Sequence, residues 1–113
     1  MSVKIRIVKL NEATDRQVQD EFVATMILNI RQDRDIDRTE ALGFIRAIPN
    51  VSTVRREREI STTEQTYVGE FNVRIILKHG QSISKYINSV LKPSISNIDG
   101  VSLQDIMNLE KVS

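Results

Sequence analysis

The apolar positions of this chain change their spacing from one stretch to the next. In "FVATMILN" (22–29) and "FNVRIILK" (71–78), β-branched and aromatic residues alternate or cluster in a way that predicts strands. The two stretches align without a gap, as Phe22/Phe71, Met26/Ile75, Ile27/Ile76 and Leu28/Leu77. In "DRTEALGFIRAI" the spacing turns helical, and Ala41, Leu42, Phe44, Ile45 and Ile48 make one face. Asp37 and Glu40 have the spacing of a capping box, and Pro49 with Asn50 stops the helix. A second helix is predicted after "HGQS", with Gly80 in the turn and Ser82 as cap. Its stripe is Ile83, Tyr86, Ile87, Val90 and Leu91; Pro93 is expected to kink or break it before Asp99 and Gly100 end it.

A longer echo joins these pieces. "IRAIPNVSTV" (45–54) returns as "ISNIDGVSLQ" (95–104), each time leading from a helix into a strand. The predicted elements are strands at 22–31, 51–60, 66–78 and 101–109, with helices at 37–48 and 82–98. Two βαβ units that interleave into one antiparallel sheet make an α+β, ferredoxin-like βαββαβ sandwich with both helices on one face. Residues 1–21 lie outside the repeat, so the expected division is 1–21 and 22–113. "SVKIRIVKL" alternates Val3, Ile5 and Ile7 with Lys4 and Arg6, the pattern of an extra N-terminal strand, and "NEATDRQVQDE" reads as a polar connection. Such a strand pairs with a sheet edge of its own molecule or of a neighbour.

The alignment of the two halves sets which side each strand residue takes. Phe22, Ala24, Met26 and Leu28, with Phe71, Val73, Ile75 and Leu77, are expected to face the helices. The opposite side then carries Val23, Thr25, Ile27, Asn29 and Arg31, with Glu70, Asn72, Arg74, Ile76 and Lys78. That surface is too apolar for a plain solvent face and too polar for a core. The expected interface is Val23, Ile27, Arg74 and Ile76, joined by Arg56 and Arg58 from "VRREREIS" (54–61). In that stretch Arg55, Glu57 and Glu59 are expected to alternate with Arg56, Arg58 and Ile60. Gly69 and Phe71 evoke the aromatic motif of RNA-binding sheets, but the outward positions after the glycine hold Glu70 and Asn72. Base stacking of the usual type has no platform here.

Composition narrows the chemistry. The chain has 113 residues, enough for one domain, with 40% hydrophobic and 27% charged residues. Sixteen basic residues against fifteen acidic leave a net charge of +1 and no overall pull toward nucleic acid. There is no cysteine, which removes disulfides and thiolate chemistry. His79 is the only histidine, so a His-paired nucleophile or multi-His metal site is excluded, and a turn role is expected for it. Asp33, Asp35 and Asp37 open like a calcium loop, but Arg38 and Phe44 stand where glycine and glutamate are required. No glycine-rich phosphate loop occurs, and the apolar runs are too short to span a bilayer. The expectation is a soluble, non-catalytic protein without cofactor or metal, whose partner is a second copy or another protein rather than a membrane.

The pattern I-x-x-I-[PD]-[NG]-V leading into a charged hairpin resembles small ferredoxin-like proteins of tailed marine bacteriophages, over residues 22–110. The resemblance carries no functional residue across. It implies a virion-associated or accessory viral protein, found in the host cytoplasm or in the virion. Two alternatives stand beside it. One is a nucleic-acid-binding module gripping phosphates through Arg55, Arg56, Arg58, Arg74 and Lys78. The other is a ligand-binding regulatory domain, implied by the element order shared with ACT domains, whose glycine-rich first turn is replaced here by "RQDRDID".

Overall fold

The computed structural model describes residues 19–32 and 37–112. The expected N-terminal strand lies outside the described residues, as do Asp33 and Asp35. Strand β1 (Gln19–Arg31) leads to helix α1 (Arg38–Arg46), then β2 (Val51–Thr62) and β3 (Thr66–Lys78). Helix α2 (83–96) and β4 (Val101–Lys111) complete the chain. The strands form one four-stranded sheet in the order β2-β3-β1-β4, with every neighbouring pair antiparallel. β1 starts at Gln19, ahead of the expected Phe22, so residues 19–21 belong to the sheet and not to the polar connection.

The internal repeat is written into the register of the two central strands. Phe22 pairs with Ile75 and Met26 with Phe71, while Ala24 pairs with Val73. Since Phe22 aligns with Phe71 and Met26 with Ile75, the two strands exchange places about a local two-fold through Ala24 and Val73. The helix-to-strand turns repeat as closely. Asn50 and Gly100 both sit at positive φ, 72° and 80°. Val51 N–H donates to Ile48 O and Val101 N–H to Ile98 O, each at 3.1 Å. The shared motif is thus a helix stop whose left-handed residue is asparagine once and glycine once, the two residue types that tolerate this region best.

Alternation puts one side of β1 and β3 under the helices. Met26, Leu28, Tyr67, Val73 and Ile75 are fully buried there against Ala41, Ile45, Leu91 and Ile95. At about 1.5–3 kcal/mol for each large aliphatic side chain removed from water, this layer supplies most of the stabilisation. Asp37 caps α1 as expected, its Oδ1 accepting from Glu40 N–H at 2.8 Å. Tyr86 on α2 donates its hydroxyl to Pro49 O, joining the second half to the turn of the first. Burial pushes the Tyr86 phenol up to about 12.

Pro93 does not break α2. The helix widens into a π-turn over Ile87–Leu91, where Lys92 N–H donates to Ile87 O, and continues through Lys92–Ser96. Proline lacks an N–H and its ring crowds the carbonyl four residues back. A wider turn just before it relieves that crowding and keeps Leu91 and Ile95 in the core.

Gly69 has a packing role in place of the motif its neighbours evoke. A Cβ there would lie 2.7 Å from Tyr67 Cε1 and 3.2 Å from the Arg58 carbonyl. The Tyr67 ring therefore lies over the glycine, edge-on to Phe71 with centroids 6.4 Å apart. At one end of the sheet, buried Asp20 accepts from Gly80 N–H at 3.1 Å and lies 3.0 Å from His79 Nδ1 and 3.3 Å from Lys111 Nζ. One carboxylate thus joins the start of β1, the turn after β3 and the end of β4. The bond with His79, then the Gly80 N–H and Lys111, hold its pKa down to about 2 against the opposing effect of burial.

Two measurements follow from this packing. Gly69→Ala should cost about 1–3 kcal/mol in urea unfolding, because the added methyl meets a buried ring and backbone. The cost should shrink in a Tyr67→Leu background, and equal costs in both would place the clash elsewhere. Folding lowers the Asp20 pKa, so its contribution is complete above the unfolded value of 3.8 and fades as pH falls through about 2. Asp20→Asn should lower the denaturation midpoint at neutral pH and flatten the loss of stability between about pH 4 and pH 2. An acid profile parallel to that of the unmodified chain would show that Asp20 is not held in this way.

Candidate interaction surface

The side of the sheet away from the helices is open. Its cross-strand rows run β2-β3-β1-β4 and can be read from the pairing. Thr53, Arg74, Val23 and Glu110 form one row. Arg55, Asn72, Thr25 and Met107 form the next, and Arg58, Glu70, Ile27 and Asp105 the third. Ile76 stands opposite Glu21, and Val68 opposite Asn29. Val23, Ile27, Val68, Ile76 and Met107 are each half-buried by their neighbours alone.

Five of the six residues expected at an interface share this surface: Val23, Ile27, Arg58, Arg74 and Ile76. Arg56 does not. It pairs with Phe71, a core-facing residue, whereas Arg58 pairs with Glu70 on the open side. The register shifts between the two arginines, leaving Glu57 as an extra residue, with similar shifts between Val51 and Thr53 and between Glu59 and Ser61. Each bulge resets the alternation that a regular strand would keep. The expected pairing of Arg56 with Arg58 on one face, and of Arg55 with Glu57 and Glu59 on the other, therefore gives way. Arg55 and Arg58 face outward with the open sheet, and Arg56 and Glu59 lie on the helix side.

The charges on the open face are largely engaged. Arg58 donates to both carboxylate oxygens of Glu70, at 3.2 and 3.0 Å. That pairing holds the Glu70 carboxyl below its usual range and raises the Arg58 guanidinium further. Arg74 lies 3.2 Å from Glu21. Exposed pairs of this kind contribute little to stability, so their main effect is to neutralise the surface rather than to stabilise the fold. They also divide the basic strip considered for phosphate binding, since Arg58 and Arg74 are paired and Arg56 is on the other side. What remains is polarised across the face. The β2 edge presents Arg55, and the β4 edge presents Asp105 and Glu110.

Other corners offer less chemistry. Asp20, His79 and Lys111 bring a carboxylate, an imidazole and an ammonium together, but all three are turned to the task of holding strand ends. His79 therefore does more than fill a turn, and no local pattern marks its partner, which is distant in sequence. A cleft of about 410 Å3 lies between α2 and the α1–β2 turn, lined by Asn50, Ser82, Lys85 and Tyr86 among others. Its polar groups are mostly engaged: Asn50 Nδ2 donates to Ile76 O, Ser82 Oγ accepts from Lys85 N–H, and Tyr86 holds Pro49. Among the described residues there is no group of three metal-ligating side chains and no helix long and apolar enough to cross a membrane. No family model matches the chain, and a search of curated proteins finds none that matches it.

Proposed function

We propose that this protein is a non-catalytic interaction protein, a ferredoxin-like sandwich that pairs face to face with a second copy of itself through its open sheet. The observation that carries this reading is the outer face itself, with five half-buried apolar side chains amid charges of both signs. Four strands about 4.8 Å apart, each with about ten residues rising ~3.3 Å, make a face of roughly 600 Å2, near the ~800 Å2 per partner of a standard interface. A two-fold axis along the strands sets the β2 edge of one copy over the β4 edge of the other. Arg55 then meets Asp105 and Glu110, while Val23, Ile27 and Ile76 pack between the copies. The resemblance of the helix-to-strand repeat to phage proteins supports a virion-associated or accessory role for such a pair.

Light scattering tests the reading. The expected mass is that of a dimer, both for the full chain and for a chain starting at Gln19. Ile27→Asp should weaken pairing by at least about 30-fold, leaving a monomer with unchanged far-ultraviolet dichroism. Ile76→Asp should do the same. A monomeric full chain at high concentration overturns the proposal. A mass lost only on truncation moves the contact to the N-terminal segment, and unfolding of the two variants would make these residues core.

A further inference from the structure

The helix side of the sheet holds a second feature, independent of the pairing surface. The first turns of α1 supply Arg38, Thr39 and Leu42, β2 supplies Arg56, and β3 supplies Tyr67 and Phe71. Together they line a hollow of about 260 Å3. The Arg38 guanidinium sits 4.4 Å from the centre of the Tyr67 ring, a cation–π contact that fixes it in place. None of the ion pairs among the described residues involves Arg38 or Arg56. Tyr67 is fully buried, and its hydroxyl has no hydrogen-bond partner. The orphaned buried hydroxyl is the feature that needs an explanation, and two exposed guanidinium groups outside those ion pairs line the same hollow.

We propose that this hollow binds a phosphate group. Arg56 and Arg38 present forked donors suited to its oxygens, and Thr39 adds a hydroxyl at the start of a helix. Tyr67 forms the inner wall, and its hydroxyl, sealed from solvent, becomes a further donor when the side chains over it move aside for the phosphate. The volume decides the size of what enters: it exceeds a single water's share of about 30 Å3, yet falls below the roughly 300 Å3 at which pockets take whole small molecules. A phosphate head group fits, with the rest of its bearer outside. The nearby carboxylates set a limit on affinity. Asp37 is engaged by Glu40 N–H, but Glu59 lies on the same side of β2. The phosphate belongs either to a small phosphorylated molecule or to a nucleic-acid backbone, and the same chemistry serves both.

The test is titration of the full chain with inorganic phosphate at constant ionic strength, followed by the arginine side-chain N–H signals in NMR. Saturable shifts at Arg38 and Arg56 are expected, with none at Arg74 on the opposite face. Arg56→Gln should weaken binding by about tenfold, and Arg55→Gln should leave it unchanged. Tyr67→Phe is the sharper probe. It should leave the melting temperature without phosphate equal or higher, because the lost hydroxyl was unpaired, and still reduce phosphate affinity severalfold. Oligothymidylate that displaces phosphate would name nucleic acid as the source, and failure to compete would name a small phosphorylated molecule. Absence of saturable shifts, or Arg56→Gln and Tyr67→Phe variants that bind like the unmodified chain, overturns the proposal.

Discussion

The antiparallel pairing of β1 with β3 about Ala24 and Val73 is the constraint from which the rest of the molecule follows. Side chains in a strand alternate with a period of two, so slipping this one register by a single residue would turn Phe22, Met26 and Leu28 outward while Phe71 and Ile75 stayed under the helices. Held in place, it gives the sheet one wholly apolar side for the helices to cover. It also makes the two halves equivalent, so one turn design serves twice, at Asn50 and at Gly100. The outer side inherits the complementary half of each strand, a mixture that neither water nor a packed layer would select by itself.

What the central strands impose, the edge strands modify. The three bulges of β2 redistribute a run of charges between two surfaces, so that Arg58 meets Glu70 on one and Arg56 meets Phe71 on the other. A regular strand would have placed these arginines side by side. The outcome is a molecule with two chemically different faces: an outer one whose charges are mostly paired and balanced, and a helix side where Arg56 and Arg38 line one hollow.

How far this was legible in the sequence depended on whether apolar residues marked the geometry. The central strands, the limits of both helices and the Asp37 cap were readable because Phe22, Met26, Ile45 and their repeats carry the period of the element they occupy. The bulges were not, because in "VRREREIS" the stretch between Val54 and Ile60 is wholly charged, and no hydrophobic position shows when the alternation slips. The π-turn escaped for another reason. Pro93 announces a problem, but the way it is relieved depends on the pull of Leu91 and Ile95 into the core, which is a tertiary effect. Asp20 sits in a stretch that reads as polar connection, and its partners lie far along the chain. Gly69 was legible as a special position, though its cause, the Tyr67 ring lying over it, is visible only in three dimensions. Of the residues expected at an interface, the register of β1 and β3 placed Val23, Ile27, Arg74 and Ile76 on one side, while a bulge sets Arg56 on the other.

The same bulges bear on how copies of this chain behave when crowded. Both outer strands are interrupted, β2 at three places and β4 at two, and an interrupted strand gives a passing backbone no straight rail of N–H and C=O groups to zip against. Growth by adding strand to strand, the route to fibrils, is therefore hindered along both margins of the described sheet.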